Sequence, residues 1–341
     1  MTRETFRKIL VTPELLEKVN PENIKLRDQF LKEKNARSSD KTIISYLSDL
    51  NIFFVYTLLY NDNKFFVDYR KIELSSFFNY CLDQLKWSSS RYNRMKSCLS
   101  SFSNFILKYL DDIYPNFKPI VLNSIDNMPK NLVREKTILT DEQIDKLFKD
   151  LKDANEIQVI CWLALAIASG SRFAELLRFE VDNIDGDHLA FNDIFIETLR
   201  PIKSKGRTKT GKMSLKYIIK DLFWDKYNDW LLEREKILVK NNKSHNFIFI
   251  KKNGDPADES TARGWINKIQ HYISVPFYAH ALRHRACSYL SRKKIPYALI
   301  KELFSWESID MISIYDDNSA KDKDWPELEN LKTKSEDISS K

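Results

Sequence analysis

Six side chains spread over residues 172–315 are of types that suit phosphoryl transfer without a metal ion. They comprise two arginines, a lysine, a histidine, a tryptophan and a tyrosine: Arg172, Lys209, His280, Arg283, Trp306 and Tyr315. Guanidinium groups bind phosphate oxygens through paired hydrogen bonds. A lysine can protonate a leaving oxygen, and a tyrosine can attack as a nucleophile. Together these types indicate chemistry on a phosphodiester through a covalent tyrosyl intermediate.

Arg172 follows a segment, 157–167, that is almost wholly apolar and that Gly170 ends. Such a segment predicts a buried helix, so Arg172 leaves the core at its end and needs a partner. Glu175, three residues further on, can orient the guanidinium. Taken alone, a structural Arg–Glu pair explains these residues better than a phosphate-binding arginine does.

His280 and Arg283 are three residues apart near the start of a predicted helix, so they lie on one face. With Arg172, Arg283 would bind the two non-bridging oxygens of a phosphate and stabilise a pentacoordinate transition state. His280 could transfer a proton to or from the tyrosine, or donate a hydrogen bond to a phosphate oxygen. A histidine that packs at the edge of the core is the simpler alternative.

Lys209 lies in a basic segment with Gly211, which supports a tight turn between strands. Six cations fall within 203–216: Lys203, Lys205, Arg207, Lys209, Lys212 and Lys216. A solvated basic loop would have this composition. A hairpin tip that enters a DNA groove would have it too, with Lys209 as general acid for the leaving 5′ oxygen. Lys203, Lys205, Arg207 and Lys212 are then candidate DNA contacts.

Tyr315 follows Phe304-Ser305-Trp306 by nine residues from the tryptophan. A phenol has a reference pKa of about 10 and is a poor nucleophile near neutral pH. Flanking arginines would favour the phenolate in the transition state. Attack on a phosphodiester would give a 3′-phosphotyrosine and a free 5′ hydroxyl. The ester keeps the bond energy, so we expect no cofactor, no nucleotide and no metal ion.

In this order, the six residues resemble those of the tyrosine recombinases, the integrase family of phages, plasmids and transposons. The resemblance covers residues 137–315 as a catalytic domain and, more loosely, 36–112 as a helical core-binding domain. It implies catalytic roles for Arg172, Lys209, His280, Arg283 and Tyr315, with Trp306 donating a hydrogen bond to the scissile phosphate. It also implies DNA held between two domains, tetramers on two sites and exchange of C-terminal segments.

Two departures from the family pattern stand out. The family usually has Leu-Gly-His where this chain has Phe304-Ser305-Trp306, and an indole can donate a hydrogen bond but cannot transfer a proton. Asp316 and Asp317 follow the tyrosine, and carboxylates beside a phosphate are unfavourable unless they point away. Both departures leave room for a protein that binds DNA but cleaves it poorly.

The predicted fold class is mainly α with a small antiparallel β-sheet, in a two-domain arrangement like that of the tyrosine recombinases. A helical DNA-binding domain covers 1–112, a linker 113–136, the α+β catalytic domain 137–315 and an acidic tail 316–341. In the first domain, Arg91, Arg94 and Lys96 begin a helix and either contact phosphates or form a solvated face.

The catalytic domain is expected to begin with a capping box of Thr140 and Gln143. We predict helices at 140–152, 155–169, 172–179, 221–239, 258–273, 279–292 and 296–304. Strands are predicted at 188–191, 194–198, 213–219 and 246–250.

Composition favours a polyanion as partner. Lys and Arg number 55 against 48 for Asp and Glu, a net charge of +7, and the acidic tail leaves the body more basic still. We expect double-stranded DNA and a homo-oligomer, a dimer or tetramer, on it. The five histidines lack the spacing of a metal site, and no nucleotide-binding glycine motif occurs.

No apolar run of about 18 residues predicts a membrane span, and the four cysteines are expected to be buried thiols. These features favour the cytoplasm of a bacterial or archaeal host cell, with the protein associated with the nucleoid.

Three functions remain open from the sequence. The first is a site-specific recombinase or integrase of a mobile element. The second is a phage transcriptional regulator or repressor that uses the same scaffold without strand exchange. The third is an enzyme like the type IB topoisomerases, with the same chemistry but no pairing of two sites. Replacing Tyr315 separates the first from the second, and relaxation of supercoils by a monomer identifies the third.

Overall fold

A computed structural model of the protein describes residues 11–119, 125–129, 139–204 and 211–316. The chain divides into two compact units, the first within residues 1–135 and the second within 136–205 and 212–341. Lys205, Arg207 and Lys209 lie outside the described residues, as does the predicted tail beyond Asp316.

The first unit is helical. Its helices are α1 (Pro13–Lys18), α2 (Pro21–Asn35), α3 (Asp40–Tyr60), α4 (Lys71–Asp83) and α5 (Ser89–Tyr109). Side chains of Ser39 and Ser88 cap α3 and α5 by accepting hydrogen bonds from main-chain N–H groups in the first turn. Helices α2, α3, α4 and α5 pack around a core rich in phenylalanine.

Among the described residues, α3 is long and apolar enough to cross a membrane by length and composition alone. It packs against α2 and α5, and Leu50, Phe53 and Phe54 are fully buried in the core of the first unit. Rings of Phe53 and Phe77 meet edge to face with centroids 4.9 Å apart. Packing in this core accounts for the hydropathy of α3.

The second unit is built around the apolar helix α7. Its helices are α6 (Asp141–Asp153), α7 (Ile157–Ser169), α8 (Phe173–Leu176), α9 (Lys220–Lys240), α10 (Glu259–Tyr272), α11 (Ala279–Arg292), α12 (Tyr297–Leu303) and α13 (Met311–Tyr315). The predicted capping box begins α6, because Thr140 accepts from the Gln143 N–H and Gln143 accepts from the Thr140 N–H. Helix α7 packs against α6, α9, α11 and the sheet, so the core surrounds it.

The strands of the second unit form two small antiparallel groups: β1 (Leu189–Ala190), β2 (Phe195–Glu197), β3 (Ile202–Ser204), β4 (Lys212–Ser214) and β5 (Tyr217–Ile219). One sheet has the order β1-β2-β5 with Ile196 opposite Ile218. The other pairs β3 with β4, with Lys203 opposite Met213.

Several predicted boundaries were wrong. The predicted strand 213–219 is two strands that belong to different sheets, with Leu215 and Lys216 between them. Strand β3 and helix α13 were not predicted, and α8 is four residues long rather than eight. The segment 246–250 makes isolated bridges, at Phe247 and Ile250, instead of a strand.

Candidate functional site

Arg172 stands at the start of α8, where the chain leaves α7. Gly170 ends α7 in the left-handed conformation with φ of 56°, and a side chain there would overlap the Phe304 ring. The Arg172 guanidinium donates to Glu175 Oε1 at 2.9 Å, and its main-chain N–H donates to Oε2 at 3.2 Å. The predicted Arg–Glu pair is therefore present, and Arg172 still exposes 24% of its side chain.

Arg283 lies on α11 and is almost fully buried, with 1% exposed. Its two terminal nitrogens donate to main-chain carbonyls, Nη1 to Gly170 at 2.5 Å and Nη2 to Phe304 at 3.3 Å. The guanidinium also lies over the rings of Phe304, Trp306 and Tyr315, at 4.8, 5.2 and 5.4 Å from their centroids. These contacts fix the guanidinium in one place.

The pKa of Arg283 depends on its burial and on the nearby charge of Arg172. Burial, and then the charge of Arg172, lowers the pKa of Arg283 to about 10. The group therefore stays protonated at neutral pH, and the charge of Arg172 acts on the Arg283 guanidinium. Two guanidiniums close to each other favour an anion between them.

Tyr315, on α13, is buried beside the histidine that the sequence predicts for the site. His280 Nε2 lies 2.9 Å from Tyr315 Oη, while the His280 residue itself is exposed. The Trp306 ring stacks on the Tyr315 ring with centroids 5.1 Å apart, and the His284 ring lies 4.8 Å away. The phenol is thus held in place and has a proton acceptor within hydrogen-bonding distance.

The segment Phe304-Ser305-Trp306 is a turn with Ser305 in the left-handed region, at φ of 54°. Glycine adopts this conformation without strain, so the backbone explains why the family usually has glycine here. The turn places Trp306 against Tyr315. Among the buried polar atoms of the described residues that have no hydrogen-bond partner are Trp306 Nε1, Arg283 Nε and Ser171 Oγ. Buried donors of this kind are suited to an acceptor such as a phosphate oxygen.

The carboxylate of Asp316 points away from the phenol. It accepts hydrogen bonds from Ser291 Oγ at 2.6 Å and Tyr297 Oη at 3.3 Å. Ser291 and His280 are eleven residues apart on α11, about 16 Å along the helix axis. Asp316 follows the tyrosine directly, so repulsion between its carboxylate and a phosphate is an expectation from the sequence, and these hydrogen bonds remove that objection for Asp316. Asp317 lies outside the described residues.

Lys216 is one of the six cations that the sequence analysis grouped in the segment 203–216, and its burial excludes the solvated-loop alternative for this residue. Only 3% of Lys216 is exposed, and its Nζ donates to Glu175 Oε2 at 3.1 Å and Ser204 Oγ at 2.8 Å. A signal was present, because Lys216 shares a strand face with Ile218 in the alternating pattern Leu215-Lys-Tyr217-Ile. Burial of Ile218 then implies burial of Lys216.

The remaining predicted cations divide between the units. Lys203 on β3 and Lys212 on β4 are exposed, on the two strands that lead to the undescribed residues 205–210. In the first unit, Arg91 and Arg94 both bind the buried carboxylate of Asp49, at 2.6 and 2.8 Å. Lys96 donates to Asn127 Oδ1 at 3.1 Å.

The structure therefore brings together five of the six predicted catalytic residues, all but the undescribed Lys209, within the second unit. Among the described residues, no group of three or more His, Cys, Asp or Glu side chains could hold a metal ion. The arrangement offers anion binding by two arginines, a nucleophile and a proton acceptor. These are the requirements for attack of a phenol on a phosphodiester.

Comparison with known proteins points to one family. The model described as "Phage integrase family" matches residues 137–322. The SPbeta prophage-derived recombinase-like protein YomM of Bacillus subtilis is 30% identical over 182 residues, 51% of this chain and 52% of that protein, so the match spans about half of that relative. Tyrosine recombinase XerC of Oceanobacillus iheyensis is 27% identical over 293 residues, 83% of this chain and 87% of that protein.

Solved structures of similar fold include three proteins in complex with DNA. The Tn1549 transposon integrase bound to transposon right end DNA has a TM-score of 0.64 at 13% identity, over 91% of this chain and 99% of that one. A lambda integrase dimer bound to a COC′ core site has a TM-score of 0.62 at 17% identity, over 89% of this chain and 98% of that one. The XerH recombinase bound to difH has a TM-score of 0.59 at 17% identity, over 92% of this chain and 88% of that one. These matches confirm the predicted fold class, mainly helical with small antiparallel sheets.

Proposed function

The chain belongs to the phage integrase family, and from that premise we propose that it is a tyrosine recombinase that cuts and rejoins DNA at specific sites. The observation that carries the proposal is the cluster around Tyr315. Its Oη lies 2.9 Å from His280 Nε2, and Arg283 is fixed beside it next to Arg172. A scissile phosphate between the two arginines would meet the phenol directly.

In the proposed reaction, Tyr315 Oη attacks the phosphorus of a DNA phosphodiester. His280 accepts the phenolic proton, and Arg172 and Arg283 stabilise the charge that develops on the non-bridging oxygens. The bond to the 5′ oxygen breaks, and the leaving oxygen takes a proton from Lys209, a role that rests on the family resemblance. The products are a 3′-phosphotyrosine and a 5′ hydroxyl. Attack by a 5′ hydroxyl of another strand reverses the step and rejoins DNA.

Trp306 and Glu175 have supporting roles in this proposal. The unpartnered Trp306 Nε1 would donate a hydrogen bond to the scissile phosphate. Glu175 orients Arg172 through the two hydrogen bonds described above. Lys203, Lys205, Arg207 and Lys212, with Arg91, Arg94 and Lys96 of the first unit, are proposed to contact the DNA backbone, so that binding weakens as salt rises.

We further propose that the protein works on double-stranded DNA as a dimer or tetramer. The solved relatives include a lambda integrase dimer on a core site and a lambda integrase tetramer bound to a Holliday junction. We also propose that the protein works in the cytoplasm of a bacterial cell, in association with the nucleoid, because its substrate would be DNA. The proposed domain limits are those predicted from the sequence, with DNA bound by both domains.

Covalent trapping tests the proposal. Fragments of the source genome bound by the protein are recovered and sequenced, and a nicked duplex carrying the bound site is then incubated with the protein. We expect a protein–DNA adduct that survives denaturing detergent and is lost on proteolysis. Tyr315→Phe should bind the same duplex and form no adduct. Binding by the wild type without any adduct on its own site would contradict the proposal.

The same variant separates the alternatives. A repressor that uses this scaffold would regulate equally well with Tyr315→Phe, and the comparisons support recombination rather than repression. An enzyme like the type IB topoisomerases would relax supercoiled plasmid as a monomer and would not join two sites. A recombinase is expected to join two sites on one plasmid, which is measured by a change in restriction pattern.

A further inference from the structure

Lys216 is held in the interior next to the proposed catalytic arginines. Lys216 lies in the two-residue segment between β4 and β5, and its main-chain N–H donates to Thr198 Oγ1 at 3.0 Å. Its ammonium donates to Glu175 Oε2 and to Ser204 Oγ, and Ser204 Oγ lies 3.0 Å from Ser214 Oγ. A buried ammonium without such partners would be strongly unfavourable.

Glu175 is shared between two cations. Its Oε1 accepts from Arg172, and its Oε2 accepts from both the Arg172 main chain and Lys216. Burial alone would raise the pKa of Glu175, but Lys216 and Arg172 outweigh burial and lower it to about 2. Burial lowers the pKa of Lys216, Glu175 opposes that change, and Arg283 and Arg172 add to it. Lys216 therefore interacts with both arginines as well as with Glu175.

The four side chains have a net charge that matches the reaction. Arg172, Arg283 and Lys216 each carry one positive charge, and Glu175 carries one negative charge. A phosphodiester carries one negative charge, and attack by a phenolate brings the transition state to two. Without Lys216, Glu175 would cancel one of the arginines and leave a single positive charge to stabilise two negative ones.

We propose that Lys216 is a positioning residue that compensates Glu175, so that Glu175 can orient Arg172 without reducing the positive charge that faces the phosphate. The proposal rests on the proposed function. Lys216 differs from Lys209, because its ammonium donates to Glu175 Oε2 and Ser204 Oγ in the interior and its role is to set charge and position instead of giving a proton to DNA.

Charge replacement tests this role. Lys216→Met leaves Glu175 uncompensated, and we expect adduct formation in a single turnover at saturating DNA to slow about 100-fold, with the Kd for DNA changed only a few-fold. Lys216→Met combined with Glu175→Gln restores the net charge of +2, so the double variant should cleave at least about ten times faster than Lys216→Met. Lys216→Arg, which keeps the charge, should stay within about tenfold of the wild type.

Arg234→Met provides a matched control for the loss of a buried cation. Arg234 is also in the second unit, with 6% exposed, and donates to the main-chain oxygens of Phe247 and His245 but not to Glu175. The Arg234→Met variant should have a lower melting temperature, and its folded form should cleave at the wild-type rate. The proposal is overturned if Lys216→Met cleaves at the wild-type rate, or if the double variant is no faster than Lys216→Met.

Two further comparisons keep the outcome decisive. If Lys216→Met does not fold, the double variant is compared with the wild type: a rate within about tenfold supports the proposal, and a loss above about 100-fold overturns it. If the wild type forms no adduct on its own site, the proposed function fails while the charge cluster is still tested. Inorganic phosphate, titrated by phosphorus-31 NMR, should then bind more weakly to Lys216→Met and recover in the double variant. Equal binding by all three proteins overturns the charge role.

Discussion

The two units hold their arginines in different ways. In the first unit, Arg91 and Arg94 bind one carboxylate, that of the fully buried Asp49. In the second unit, Arg283 binds two neutral main-chain carbonyls, those of Gly170 and Phe304. A carboxylate cancels part of the charge of an arginine, whereas a carbonyl orients the guanidinium and leaves its charge intact.

The difference indicates what each cluster does. Asp49 comes from α3 and the two arginines from α5, so the ion pairs join two helices of the first unit. In the second unit the positive charge exceeds the negative, and buried donors such as Trp306 Nε1 have no acceptor among the described residues. Ion pairs that join two helices support packing, whereas guanidiniums oriented by neutral carbonyls beside unpartnered donors are suited to anion binding.

Replacing Arg283 should have the largest effect. Lysine keeps the charge in Arg283→Lys but cannot bind two carbonyls and a phosphate at once. We expect adduct formation to slow at least about 1000-fold, with DNA binding reduced far less. The measurement is single-turnover cleavage at saturating DNA. Arg27→Lys is the matched control in the first unit, because Arg27 donates to Asn51 Oδ1 and Asp28 Oδ1 and is not a proposed DNA contact. It should cleave within about tenfold of the wild type, and an equal loss in both variants would show that the effect is not specific to Arg283.

The sequence predicts the surroundings of the two arginines in the second unit, because the features involved depend on residues close together in the chain. Gly170 as the end of α7, the Arg172–Glu175 pair and the shared face of His280 and Arg283 all follow from spacings of a few residues. The order of the six residues then carries the family resemblance. Contacts within one helix or one turn do not depend on the rest of the fold, and therefore a single sequence reveals them.

Other features of the site depend on contacts between distant segments. The alternating pattern of 215–218 indicates that Lys216 faces inward, but its partners Glu175 and Ser204 come from other segments and cannot be read from 213–219 alone. The position of the Asp316 carboxylate depends on Ser291 and Tyr297, in two other segments. Ser305 in the left-handed region is equally hidden, because serine is not the residue that usually marks such a turn.

Removing the carboxylate of the first unit should affect stability and leave chemistry intact. Asp49→Asn leaves Arg91 and Arg94 beside a neutral amide, and breaking a buried ion pair costs about 3 kcal/mol. We expect the first unit to unfold at lower urea concentration, measured by circular dichroism. Asp28→Asn is the control, because Asp28 pairs with Arg27 but is 59% exposed, and it should change stability little. A large drop in cleavage by folded Asp49→Asn would show that this cluster also serves the reaction.

Substitution of Gly170 tests whether the turn that ends α7 holds the Gly170 carbonyl in the position where it accepts a hydrogen bond from Arg283. In Gly170→Ala the new Cβ would lie 2.4 Å from the Phe304 ring, in a backbone with φ of 56°. Overpacking and strain together should destabilise the second unit by about 2–3 kcal/mol and displace Arg283. Gly264 lies in α10 with nothing within 4 Å of an added Cβ. Gly264→Ala should therefore stabilise the protein by about 0.5–1 kcal/mol, and a loss of stability in both variants would contradict the role of the turn.

Substitution of Ser305 tests the turn that holds the Phe304 carbonyl, the second carbonyl to which Arg283 donates. We expect the smallest effect on stability here, and a gain instead of a loss. The Ser305 φ of 54° is strained for serine, and its Oγ gains only a long contact of 3.5 Å to the Leu215 carbonyl. Ser305→Gly removes the strain and should raise the free energy of unfolding by about 0.5–1 kcal/mol, measured by urea titration. Ser97→Gly, in the middle of α5, should instead lower it by about 0.5 kcal/mol. Because Ser305→Gly leaves the Phe304 carbonyl in place, cleavage should stay at the wild-type rate; a slower rate would mean that Ser305 itself, and not only the shape of its turn, contributes to holding Arg283.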